Sequence, residues 1–503
     1  MGVMRFEVQP PELLEHWPEL NRAYISGFDG RVHPTKVERD GNIVGFRRQS
    51  SESGRLHVAF PVEGFGRPML TTSSLREFDG VYNLAVELAR GKICQIRNQL
   101  AAWENAGMKI PERFRQLHSQ AHALFARAAS SQHEPLVAAR FASQALGFAC
   151  QAADELMRAY VEQRLIVRRH RSHHLPAAIG CQLGVATDPQ QWAHVAQPPF
   201  SAAWVPLSWK YVEAIEGEYD WEPFDEQIEW CLNHRLIVQA GPLLDFSPGG
   251  LPQWLQQWAS DFYNLQSFLC DFVETAIARY IGKVRQWEVC ARPNTGGGLQ
   301  LSEENLVALV ARTVEVARQV DEESRFVVRV NQPFGEYQAR GTHRLAPLQF
   351  VDALVRLGVG LSGINLELNM GYGRCGTAMR DLLDVSRLID LWSCLDVPLQ
   401  VTICVPSSST HDPMAHSGIP LEANGWHKPW SEQAQAEWLD HYLPLFLAKQ
   451  TVVAIFWHTL SDAVPHEFPH SGLLRADKTP KPALEQFART VQEHWPAETL
   501  PAQ

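Results

Sequence analysis

Eight short apolar runs, each ending in a polar turn, dominate the sequence from about residue 175 onward. They fall at 179–185, 200–205, 236–244, 284–290, 326–330, 363–368, 399–405 and 452–457. Between most of them lie amphipathic stretches of helical period, at 224–233, 251–280, 303–321, 348–357, 380–395 and 431–448. Short strands buried on both faces and alternating with helices, repeated eight times, predict a (β/α)8 TIM barrel. An open doubly wound sheet is the alternative. It is weakened because no Gly-rich phosphate turn follows the first run, and Gly296-Gly297-Gly298 comes only after the fourth. No cofactor is implied.

The preceding residues have a different pattern. Residues 1–80 read as a β-rich accessory domain. Asp40-Gly41 between two strand-like runs is a hairpin signal, and Leu56, Val58, Phe60 and Val62 alternate as on a half-buried strand. Pro61 marks that strand as an edge candidate. Residues 81–172 read as a helical hairpin or three-helix segment, punctuated by Pro111 and Pro135. The basic run 168–174 reads as a solvated linker rather than a metal or nucleic-acid site. The barrel then occupies 173–490, and 491–503 form a tail.

Composition narrows the function. The 503-residue chain is 45% hydrophobic and 20% charged, with a formal net charge of −11. The acidic balance argues against nucleic acid or a membrane surface as partner. No run approaches the length of a membrane span, and no signal peptide is evident, so the expected location is cytoplasmic. Nine scattered cysteines without a C-x-x-C pair favour reduced, buried thiols over a disulfide framework or zinc site. Sixteen tryptophans suit either core filling or sugar-stacking faces, with core the commoner use. Oligomeric state is not encoded in any feature of this kind.

Several phrases, in order, carry a family resemblance. Trp209-Lys210-Tyr211 with Gly217-Glu218-Tyr219, Leu251-Pro252-Gln253-Trp254-Leu255, Trp287-Glu288-Val289, and Trp457-His458-Thr459-Leu460-Ser461-Asp462 follow one another at barrel spacing. Over about 175–490 the chain resembles family-ten glycoside hydrolases, which are mostly endo-xylanases. The resemblance implies a barrel with a saccharide site at the C-terminal ends of its strands, and a retaining mechanism that uses two glutamates.

Both glutamates are replaced. In 283–294, KVRQWEVCARPN, the acid/base of the family would stand where Arg292 stands, and the nucleophile on the seventh strand would align with Ile403. Arginine keeps its proton and isoleucine cannot attack, so the family's double displacement is not expected at its usual positions.

Other residues could rebuild a site. Asn365, Glu367 and Asn369 share one face of the sixth strand, as either a hydrogen-bonded layer or a polar floor. Asp245 ends the third strand. Glu367 and Asp245 are therefore the candidate displaced catalytic pair. Arg292, Asn365, Asn369, Trp209, Lys210, Asn331, Trp457, His458 and Asp462 are the candidate substrate-binding residues. The expected partner is a poly- or oligosaccharide, neutral or acidic, with Arg292 as a clamp for a uronate. A metal at His411, Asp412 and His416 lacks ligand spacing, and none is expected. The alternative is a non-catalytic relative that binds a saccharide or a protein.

Overall fold

In the computed structural model, residues 2–172, 175, 177–185, 199–373, 376–416 and 418–494 are described. His173, His174 and Cys375 lie outside them.

The chain begins with two four-stranded sheets. One orders Lys36–Asp40, Ile43–Arg48, Gly2–Glu7 and Tyr82–Asn83; the other orders Val32–His33, Tyr24–Ser26, Arg55–Ala59 and Met69–Thr71. The expected hairpin forms, with Asp40 paired to Ile43 across a two-residue turn. Gly41 adopts φ +59° there, a left-handed value that glycine takes without strain. The predicted edge strand is internal instead: Arg55–Ala59 pairs on both sides, and Pro61 lies beyond its end where no ladder hydrogen bond is needed.

Three helices follow, Leu84–Asn105, Glu112–Ser130 and Pro135–Arg171. The Asn83 side chain caps the first by accepting from Val86 N, and Pro135 opens the third at a position needing no N–H donor. Their apolar faces serve two cores. Leu84, Leu88 and Leu146 join a cluster with Met4, Phe6 and Phe46 of the sheets. Ile93, Ile96, Leu156 and Met157 join the barrel core.

The barrel is closed and wholly parallel. Its strands are Ala178–Gln182, Ala202–Val205, Ile237–Ala240 with Leu244–Asp245, Gln286–Ala291, Arg325–Asn331, Gly363–Asn369, Leu399–Cys404 and Val452–Trp457. The eighth strand pairs with the first, which closes the ring. The predicted run 236–244 is two short pieces, both paired with the fourth strand. Helices Glu222–Asn233, Phe262–Arg279, Glu303–Val320, Pro347–Arg356, Leu382–Trp392, Glu432–Ala448 and Pro482–His494 follow strands two to eight. Asp261, Ser302, Asp381 and Ser431 fix four of the helix starts by accepting a backbone N–H.

Apolar side chains fill the lower lumen. Ala178, Ala202, Trp204, Ala454 and Phe456 cluster there, and Trp204 Nε1 donates to Gly241 O at 2.6 Å. Among the described residues, six tryptophans, including Trp209 and Trp457, are less than 2% exposed, which is the core use of this residue. Among the described residues, no helix is long and apolar enough to cross a membrane.

Candidate functional site

Above the apolar layer the lumen turns polar. Side chains alternate across a strand, so Asn365, Glu367 and Asn369 project inward together, and all three are buried. Thr402 donates to Asn365 Oδ1 at 2.9 Å, and the Cys404 thiol donates to Asn369 Oδ1 at 3.2 Å. Asn365 Nδ2 donates to Glu288 Oε2 at 2.9 Å, and Asn369 Nδ2 donates to Glu367 Oε1 at 2.7 Å. Arg329 Nε lies 3.0 Å from Glu288 Oε1, with its guanidinium 4.8 Å from the centre of the Trp204 ring. Both asparagines are thus hydrogen-bonded members of an internal polar layer.

Arg292 caps this layer. It follows the fourth strand directly at φ +57°, and its N–H donates to Arg329 O at 2.8 Å. That turn aims the side chain across the lumen. Nε and Nη2 donate to the two carboxylate oxygens of Glu367 at 2.9 and 2.5 Å. Nη1 and Nη2 donate to Glu467 at 2.7 and 2.8 Å. Asp245 Oδ2 lies 4.0 Å from Nη1. Burial by itself would raise the Glu367 carboxyl, but the charges of Arg292 and Arg329 outweigh it and hold it down at about 2. Burial dominates at Glu288, pushing its carboxyl up to about 7 against the pull of Arg329. Burial also lowers His458 to about 3, so its imidazole is neutral at ordinary pH.

The loop after the eighth strand seals the centre. Phe468, fully buried, lies 4.9 Å from both the Tyr372 and His458 rings, with Arg292 6.0 Å from its centroid. Tyr372 OH donates to Pro469 O at 3.1 Å, tying this loop to the loop after the sixth strand. Beside the seal, a cavity of about 410 Å³ remains open, lined among others by Lys210, Tyr211, Asp245, Arg292, His458 and Glu467. A larger cavity of about 970 Å³ lies elsewhere, between helix Pro135–Arg171 and residues such as Met379, Trp426 and Tyr442.

The predicted residues thus divide. Asp245, Lys210, Arg292 and His458 meet at the cavity. Glu367 lies beneath Arg292, so the expected Glu367–Asp245 pair does not face a common open space: one member is enclosed and ion-paired. Asn365 and Asn369 are enclosed with it. Trp209 stacks on Phe272 at 5.0 Å and donates to Glu213, and Trp457 donates to Ser471 O; both are core residues. Asn331 is held at its backbone by Asn294 and does not line the cavity. Asp462 accepts from Lys481 Nζ at 2.5 Å and Gly472 N at 2.7 Å, which makes it a buried brace for the eighth-strand loop.

No sequence pattern points to Glu467, and Tyr211 enters only as part of the Trp209-Lys210-Tyr211 phrase. Glu467 sits in a loop phrase without periodicity, and only the fold brings it to Arg292. Of the weak metal trio, only Asp412 turns inward; His411 and His416 are exposed. Asp412 instead approaches Asp462 and His466, in a grouping that could offer ligand atoms. Lys481 already supplies its positive charge, and His466 Nε2 lies 3.0 Å from Asp412.

The sequence model of glycosyl hydrolase family 10 matches residues 206–364. That stretch runs from the end of the second strand into the sixth and contains Arg292. The chain resembles glycosyl hydrolase family 10. Endo-1,4-beta-xylanase B of Thermotoga neapolitana is 26% identical over 121 residues, which are 23% of this chain and 34% of that protein. The match therefore spans about a third of that relative's length. Xylanase 10B from Thermotoga petrophila RKU-1, solved with xylobiose, aligns with TM-score 0.47 and 16% identity over 65% of this chain and 97% of that one. Xylanase 10B from Thermotoga maritima gives 0.49 and 15% over 65% and 98%.

Against the family pattern, one position needs correction. Ile403 is expected at the nucleophile position, yet Thr402 and Cys404 are the residues that reach lumen partners, so Ile403 points outward into the apolar core between the strands and the helices. The conclusion is unchanged, because the seventh strand, LQVTIC, carries no carboxylate at all. The protein is a glycoside-hydrolase-like barrel whose fourth strand is followed directly by Arg292.

Proposed function

We propose that this protein binds a neutral saccharide at the barrel mouth and does not cleave it by the double displacement of family 10. The observation that carries the reading is the grip of Arg292 on Glu367. A retaining site needs one proton-donating carboxyl and one free nucleophile. Here the acid position holds a permanent cation, and the buried carboxylate nearest to it is locked and ionised.

The open cavity supports a binding role. Lys210 and Asp245 offer polar contacts, and Tyr211 supplies an exposed ring suited to the C–H face of a sugar. Arg292 is bracketed by Glu367, Glu467 and Asp245, and an anionic substituent would meet these carboxylates as well as the guanidinium. This charge balance favours a neutral sugar over a uronate. The family match and the xylanase relative make β-1,4-linked xylo-oligosaccharides the first probes.

A second reading has one observation in its favour. Asp245 and Glu467 both border the open cavity and both lie within 4.0 Å of Arg292 Nη1, so a rebuilt carboxylate pair is available there. Calorimetric titration with xylotriose tests the main reading: saturable heat that is lost in Lys210→Ala supports it. Absence of heat with neutral oligosaccharides of xylose, glucose and mannose contradicts it.

A further inference from the structure

Among the described residues, the mouth of this barrel is open on one side only. The cavity walls come from residues 182–185, 206–211, 242–250 and 458–467, together with Arg292, Arg329 and His416. Among the described residues, none between 330 and 415 lines it. Those residues include the loops after the fifth and sixth strands and the start of the loop after the seventh, which on an uncovered barrel would form the opposite bank.

The N-terminal β-rich region covers that bank. Tyr24, Val32, Ala59 and Met69 form one apolar cluster with Ala339 and Ala378 of the barrel loops. Thr35 N donates to Ala339 O at 3.0 Å, Met69 N to Met379 O at 2.8 Å and Arg67 N to Asn424 O at 2.9 Å. Buried Arg380 bridges Glu336 and Tyr24 OH at 2.9 and 2.8 Å. At Gly66 a Cβ would stand 2.4 Å from Trp426 O, so the two backbones touch where no side chain fits. Between this cover and the cavity, Phe468 and Pro469 form an inner wall that is tied to Tyr372.

We propose that the mouth recognises the end of a saccharide chain, taking the last two or three sugar units, and does not accept an internal segment of a polymer. The inference rests on the saccharide-binding reading above. A long chain lying across the mouth would have to pass through the Phe468 wall and the packed junction behind it. A chain end fits the cavity, whose volume of about 410 Å³ lies in the range of small-ligand pockets.

The test is titration of the full-length protein with xylose to xylohexaose, together with equal masses of long-chain xylan and of the same xylan shortened by acid. End recognition predicts that affinity climbs to about three units and then stays level within about two-fold to the hexamer. Shortened xylan should compete better than long-chain xylan, in proportion to its number of ends. Affinity that keeps rising several-fold through the hexamer, or equal competition by the two xylans, overturns the inference while leaving saccharide binding in place. Failure of every probe to bind overturns the parent reading and this one with it. A Tyr211→Ala variant, altered at an exposed residue, should lower the plateau affinity without moving the chain length at which it is reached; a shift in that length contradicts the inference.

Discussion

Arg292 holds Glu367 through two nitrogens, at 2.9 and 2.5 Å, at the point where the fourth and sixth barrel strands open toward the mouth. One residue at the end of the fourth strand therefore immobilises a buried carboxylate of the sixth. Removing it should be costly. Arg292→Met leaves Glu367 buried with its main partner gone and should lower stability by about 3–5 kcal/mol, measured by urea unfolding. Glu367→Gln should cost less, because Arg292 keeps Glu467. The double variant should be more stable than Arg292→Met alone, and equal loss in all three would argue against the pairing.

The same pair sets an acid limit. The Glu367 carboxyl sits at about 2 when folded, below the ordinary value of 4.5. A depressed pKa contributes stability that is complete above the unfolded value and is lost as pH falls through the folded one. Wild type should thus lose stability from about pH 4.5 toward pH 2 more steeply than Glu367→Gln. Parallel thermal-melting profiles for the two proteins would refute this.

Glu288 has the opposite sign. Its carboxyl is raised to about 7 by burial, so the folded state holds the proton more tightly than the unfolded chain does. Stability from this group should decline as pH rises from about 4.5 to 7, and Glu288→Gln should flatten that slope. Melting temperatures across the same window measure it.

Asp462 separates bracing from binding. Its carboxylate is tied to Lys481 and Gly472 inside the eighth-strand loop. Lys481→Met should destabilise the protein by about 3–5 kcal/mol, since an unpaired buried charge remains. Asp462→Asn should lower the melting temperature and leave saccharide affinity near wild type. A selective loss of binding in a stable Asp462→Asn protein would instead make it a ligand contact.

Much of the barrel was legible because its strands are buried on both faces and so read as unbroken apolar runs. The third strand was misread as one piece: the bend at Gly241-Pro242 splits it, and apolar content continues across the break. Pro61 suggests an edge strand only if the strand reaches it, and Arg55–Ala59 ends before it. At the site, Arg292 was legible as a substitution but its partners were not. Glu467 is 175 positions away in a loop, and no period of two or 3.6 reaches it. The family phrase aligns Ile403 with the nucleophile, whereas strand alternation turns it outward. Trp209 and Trp457 carried family phrases and proved to be core, since a tryptophan in a phrase does not reveal which way its ring faces.

We propose that Arg292 leaves a saccharide-binding mouth without the hydrolysis of family 10. The direct measurement is prolonged incubation of wild-type protein with xylohexaose at a concentration where binding is saturated, with released products quantified by chromatography beside Asp245→Asn, Glu467→Gln and Glu367→Gln. Bound, intact hexasaccharide and no product above buffer are expected. Product that forms with wild type and disappears in any of the three variants would contradict it.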